Sequence, residues 1–259
     1  MAALKLDLEW RTTLATLLLF PALIVLGFWQ LDRAQEKTDI ALRESQRAMA
    51  PAVSLTTLRD VAGAELAFRK VTVSGHYVQD AVILLDNQIR DGRYGHDVYG
   101  LFYDQPSEQY VLLNRGWVPG DSSRRSLPQI DVPVGDFTLN AKAYVPPGEP
   151  YLLAQDEFAG LQWPLLVQTA DSQALRDLLQ DELGAPVFAT ELRLAVDDAT
   201  GFRRDWPVVN VSPQKHQGYA LQWFTMAAAL LLIFVFRSSN ILSFRRGDSS
   251  PDSIDTKEH

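Results

Sequence analysis

The chain has 259 residues, no cysteine and a formal net charge of −8. Without thiols there are no disulfides, no CxxC redox pair, no CxxCH haem attachment and no thiolate metal site. The acidic balance, with no concentrated basic block, excludes nucleic acid as a partner class.

Residues 1–13 form a short leading segment with Lys5 and Arg11. Residues 14–31 then run without a charge, about the roughly 17–25 apolar residues that a transmembrane helix needs. This run exceeds a signal-peptide core of roughly 7–15 residues, and bulky Trp29 and Gln30 follow where a cleavage site would need small residues, so a retained anchor is expected. Pro21 can kink the span, since it removes a backbone hydrogen bond. From Asp32 to Arg47 the Ala, Glu, Gln, Lys and Arg content predicts a helix continuing from the anchor, with Pro51 closing it.

Strand signals take over next. The runs "RKVTVSGHYV", "AVILLDNQI", "DVYGLFY", "QYVLLNRGWV" and "FTLNAKAYV" are rich in Val, Leu, Tyr and Phe and are separated by turn residues. Their spacing predicts a mostly antiparallel sheet or small barrel. "TADSQALRDLLQDELG" predicts one helix, with Asp171 as N-cap, Leu175, Leu178, Leu179 and Leu183 as its apolar stripe and Gly184 as its stop. "VFATELRLAV" adds a strand. Residues 219–236 are a second uncharged span, and 237–259 read as a polar, disordered tail.

The expected fold class is therefore an α+β membrane protein, a two-helix transmembrane hairpin carrying one β-rich domain over residues 32–218. Both ends of the chain then lie on one side of the membrane. The short flanks weigh most in setting orientation, and Lys5, Arg11, Arg237, Arg245 and Arg246 place them in the cytoplasm.

Chemistry is sparse. No GxSxG, HExxH, GxxxxGK[ST] or GxGxxG motif occurs, no catalytic residue stands out, and an enzyme is not expected. Of four histidines, His76 and His96 read as surface or half-buried residues and His259 as part of the tail. "LLNRGWVPG" reads as a strand ending in a turn, with Trp117 in the core and Arg115 able either to lock the turn or to meet an anion. A second constellation lies at the span ends. Trp29, Gln30 and Arg33 close the first span, while His216, Tyr219, Gln222 and Trp223 open the second on the same side. His216, Ala220, Trp223 and Ala227 share one helical face, and Ala227, Ala228 and Ala229 permit close approach of a neighbouring helix. His216 is then either an interfacial cap or an axial ligand to a haem at the membrane edge.

"GFWQLDRAQEK" after a first span, "LLNRGWVP" in a β-rich middle and "HQGYALQWF" opening a second span, in that order, resemble the surfeit locus protein 1 family of cytochrome c oxidase assembly factors. The resemblance implies a multi-pass protein of the bacterial inner membrane with its main domain in the periplasm. It implies a non-enzymatic role in bringing haem a to the catalytic subunit of an aa3-type oxidase, with the haem a synthesis enzyme as a further contact. His216 matches the haem iron's axial ligand; Tyr219, Trp223, Trp29, Arg33 and Arg115 fall in the matched motifs as cofactor-binding candidates, the two arginines for the propionates. Gln217 departs from the family pattern, in which leucine usually follows the histidine. Two other roles compete: a haem-free scaffold for an oxidase intermediate, and a two-span sensor, which the short tail disfavours.

Overall fold

The computed structural model describes residues 8–61, 63–146, 158, 161–170, 172–206 and 211–239. The chain forms two compact units, one of Met1–Ala41 with Val209–His259 and one of Leu42–Val208.

The first unit consists of two long helices. Helix α1 (Trp10–Met49) runs 40 residues through Pro21 without a break, and its continuation beyond the apolar run is the one expected from composition. Helix α3 (Pro213–Ser238) begins with Ser212 as an extended N-cap residue and Pro213 in its first turn, where the missing N–H costs nothing. Leu17, Leu18, Val25, Phe28, Leu221 and Ile233 all point outward and exposed. Apolar faces of this length, around 20 residues or more, are those of membrane-crossing helices, and the protein is a membrane protein.

The second unit is built on seven strands: β1 (Val53–Ser54), β2 (Lys70–Arg90), β3 (Arg93–Asp104), β4 (Gln109–Pro119), β5 (Asp136–Tyr144), β6 (Leu165–Val167) and β7 (Glu191–Leu194). The path β2-β3-β4-β7-β5 returns to β2, so the sheet closes on itself as a small barrel and leaves no open edge along that ring. Val71, Val73, Tyr77, Phe102, Val111, Leu113, Leu139, Leu192 and Leu194 fill its interior. Helix α2 (Gln173–Leu183) packs Leu175 and Leu179 on a second cluster with Ile83, Tyr99, Leu101 and Leu112. Full burial of each leucine is worth about 1.5–3 kcal/mol. The last turns of α1 belong to this unit: Glu44 pairs with Lys142 at 2.6 Å, and Arg47 donates to the carbonyls of Ala64 and Ala67.

Several expectations need correction. The first two strand runs form one strand, β2, which is kinked where Asp80 takes a positive φ of 62° and the register shifts between Tyr77 and Val82. Three short parallel pairings, β1 with β2, β6 with β2 and β4 with β7, join the antiparallel ones. The α2 N-cap is Ser172, whose hydroxyl accepts from the Leu175 N–H; Asp171 lies outside the described residues. His96 is fully buried rather than superficial, whereas His76 is half exposed. The tail beyond Ser239, with His259, lies outside the described residues.

"NRGW" is not a turn that ends a strand. Strand β4 runs on to Pro119, and Arg115 is the extra residue of a β-bulge, since Val98 pairs with Gly116 and Tyr99 with Asn114. Gly116 has φ 112° and accepts the approach of the 202–204 segment: an added Cβ would lie 2.7 Å from the Arg203 carbonyl oxygen. That segment is strapped down by backbone bonds from Trp117 N to Arg203 O at 2.8 Å and from Phe202 N to Arg115 O at 2.6 Å. Side chains add Arg90 with Asp97 and Asp205, Arg203 with Asp91, and the Trp206 indole N–H to the Leu194 carbonyl.

Candidate functional site

The candidate site lies wholly in the two-helix unit, and small residues create it. On α1, Gly27 and Ala34 are buried; on α3, Ala220 and Ala227 are buried, while the positions immediately beside each are exposed. Each pair is spaced by seven, two helical turns, so each marks one seam along which two backbones come close. At Gly27 the approach is tight, since an added Cβ would lie 2.5 Å from Cε1 of Phe224. Phe224 also meets Phe28 edge to face, with ring centroids 5.3 Å apart.

His216 sits on this seam at the start of α3. The expected face of His216, Ala220, Trp223 and Ala227 is the one turned inward: both alanines are buried, and His216 and Trp223 are half-buried. Its Nδ1 lies 2.8 Å from Oε1 of Gln30 on α1. Its Nε2 is buried and has no hydrogen-bond partner among the described residues. A buried ring nitrogen left unpaired is uncommon, because its desolvation is not repaid.

The other expected residues take different positions. Trp29 and Tyr219 are about half exposed, at 48% and 49%. Arg33 stacks over the Trp29 ring at 5.8 Å and donates to Glu36 at 2.6 Å. Arg115 belongs to the barrel unit and is 3% exposed. Its Nε and Nη2 donate to the Thr200 carbonyl and its Nη1 to that of Asp131, while Tyr77 and Phe202 face its guanidinium at 5.2 and 4.7 Å. Burial pushes its pKa below the ordinary value. A guanidinium so engaged locks the bulge, the first of the two roles open to it from the sequence. Gln30, Gly27 and Phe224 were the harder residues to read. Gln30 was expected at the span end, in the set facing that of His216, but without a role of its own, and the spacing Gly27, Gln30, Ala34 was the available sign of a shared face.

A second polar contact marks the other end of the pair, where Arg237 lies 3.7 Å from Glu9. Gln30 follows Glu9 by 21 residues, and Arg237 follows His216 by 21, so both contacts belong to one antiparallel register. At a rise of 1.5 Å per residue they stand about 32 Å apart. That is close to the thickness of a hydrocarbon core, roughly 30 Å.

Among the described residues no group of three or more His, Cys, Asp or Glu side chains gathers to hold a metal ion. The arrangement offers, among the described residues, one imidazole with one unpaired nitrogen at one end of the helical pair.

Comparison with known proteins adds the following. The model of the SURF1 family matches residues 17–228. A SURF1-like protein of Rickettsia felis is 28% identical over 244 residues, covering 90% of this chain and 99% of the relative. One from Rickettsia bellii is 26% identical over 86% of this chain and 89% of its own length. An uncharacterised SURF1-like protein of Mycobacterium tuberculosis is 26% identical over 90% of this chain and 86% of its own length.

Proposed function

Because the chain belongs to the SURF1 family, which implies a role in cytochrome c oxidase assembly, we propose that it acts there by holding haem a at the membrane boundary through His216. In this reading the protein is a non-enzymatic factor of a bacterial inner membrane. Its barrel domain is periplasmic, and it assists haem insertion into the catalytic subunit of an aa3-type oxidase. The haem would be cargo, held by an imidazole nitrogen of His216 on its iron.

The observation that carries the reading is the buried Nε2 of His216, which no group among the described residues satisfies while Nδ1 is engaged. The residues around it fit a haem edge. Trp29 and Tyr219 present half-exposed rings, Trp223 lies on the His216 face, and Arg33 offers a cation suited to a propionate. Arg115, its donors spent on carbonyls, is left out of the proposed site.

The same atom supports a second reading. Nε2 is covered by the protein itself, so a haem reaches it only when its cover moves, and a permanently covered His216 would make the protein a haem-free scaffold. The two readings part on one experiment. The protein is purified in detergent from cells that make haem a, and its reduced spectrum and extracted pigment are compared with those of His216→Ala. Haem a in the parent and its loss from a folded variant are expected. A haem-free parent that still co-purifies with oxidase subunits would overturn the ligand reading in favour of the scaffold.

A further inference from the structure

We propose that Gln30 is the positioning residue of His216: from the opposite helix it fixes the imidazole as the Nδ1–H tautomer and so keeps a lone pair on Nε2. The consequence for haem rests on the ligand reading above, whereas the tautomer itself does not.

A carboxamide oxygen can only accept. Oε1 of Gln30 lies 2.8 Å from Nδ1, and that contact is a hydrogen bond when Nδ1 carries the proton, the tautomer proposed. A neutral imidazole has one N–H, and Nε2 is therefore bare. This accounts for both observations at once: one ring nitrogen is bonded and the other is buried with nothing to donate to it. The ring turns about two side-chain torsions, and a single fixed acceptor on Nδ1 removes most of that freedom. Outer partners of this kind set the tautomer and orientation of ligating histidines generally, and their loss weakens binding about 10–100-fold.

The contact needs both helices. Gly27, Gln30 and Ala34 are spaced by three and four and share a face of α1. With Gly27 against the Phe224 ring and Ala34 buried, that face lies close enough for the Gln30 amide to reach His216. Neither span makes the site alone, although Gln30 and His216 are 186 positions apart in sequence.

The test uses the full chain, haem-free, in lipid nanodiscs with 15N-labelled histidine, the His216 signals being identified by their absence from His216→Ala. The parent is expected to show Nδ1 protonated and Nε2 bare. Gln30→Leu should lose that preference and, when made in haem a-producing cells, retain about tenfold less haem per folded protein. Gln30→Glu, which still accepts from Nδ1, should restore both. An Nε2–H tautomer in the parent overturns the proposal without any variant. A folded Gln30→Leu that keeps either the Nδ1–H tautomer or the full haem content also overturns it. A haem-free parent with the Nδ1–H tautomer sinks the haem reading alone and leaves the tautomer assignment to Gln30 standing.

Discussion

The ring of Phe224 occupies the space that a side chain on Gly27 would need, with Cε1 2.5 Å from where the Cβ would be. Gly27→Val should therefore push the helices apart and destabilise the pair by about 1–3 kcal/mol, the usual cost of overpacking. Adding Phe224→Ala should recover part of that loss, so that the double variant is more stable than the two single effects predict. Thermal unfolding of the four proteins in one detergent checks this; simple additivity would mean that the two residues are not in contact.

A methyl group at Gly116 meets two obstacles, a φ of 112° and the carbonyl of Arg203 at 2.7 Å. Gly116→Ala is expected to cost at least about 2 kcal/mol. The 202–204 strap should loosen first, which amide hydrogen exchange at Trp117 and Phe202 would report.

Arg115→Met keeps most of the side-chain stem but removes every donor to Thr200 and Asp131. Burying a cation carries its own cost, yet the carbonyls left unpaired should dominate, for a net loss of roughly 2–4 kcal/mol. Arg115→Lys should fall in between, since one ammonium cannot replace a fork. Denaturant unfolding measures the loss. If Arg115 instead serves a propionate, the variant would keep its stability and shed haem.

Glu191 is buried beneath Tyr99 and Arg193, accepting from the phenol and, at 3.1 Å, from the Arg193 Nε. Burial is the largest influence and raises its pKa above 4.5, with Arg193 opposing. The folded state therefore holds this proton more tightly than the unfolded chain does. Its stabilising contribution is fully present below about pH 4.5 and is lost as pH rises through the folded-state value. Glu191→Gln, which cannot ionise, should lack this slope, so the stability of the parent relative to the variant should fall from pH 4 upward. Melting temperatures of both proteins between pH 4 and 8 test the sign, and a rising difference would refute it.

His96 carries the opposite dependence. Burial holds its pKa below 6.5, against the pull of Asp86, so the folded state binds the proton less tightly than the unfolded chain does. Below about pH 6.5 the unfolded chain takes up a proton that the folded chain refuses, and stability falls. His96→Phe should flatten that acid limb, as the same melts would show.

The two spans, the helix running on from the first and the helix "QALRDLLQDEL" were legible because each extends over several turns of consistent pattern. The barrel was legible as a set of strands, but the sequence left open whether they form an antiparallel sheet or close into a small barrel. Strands β1 and β6 are two and three residues long, too short for any periodicity, and β7 joins β4 through only two register positions. The bulge at Arg115 was misread as a turn because Asn-Arg-Gly has turn composition, and only the partner strand shows the extra residue. At the site, His216 stood out by residue type and by the strip beside it. Gln30 did not, because a glutamine at a span end has many uses and its meaning lies in a residue on the other helix.

The matched spacing of Glu9 to Gln30 and of His216 to Arg237 makes the helical pair sensitive to bilayer thickness. The two polar contacts stand about as far apart as a hydrocarbon layer of roughly 30 Å is thick, so lipids with longer tails should draw one of them into hydrocarbon at a cost of a fraction of a kcal/mol per Å. A vesicle series of stepped acyl-chain length should show the pair most stable near that thickness. In a cell, the same dependence would confine the working protein to membranes of one gauge.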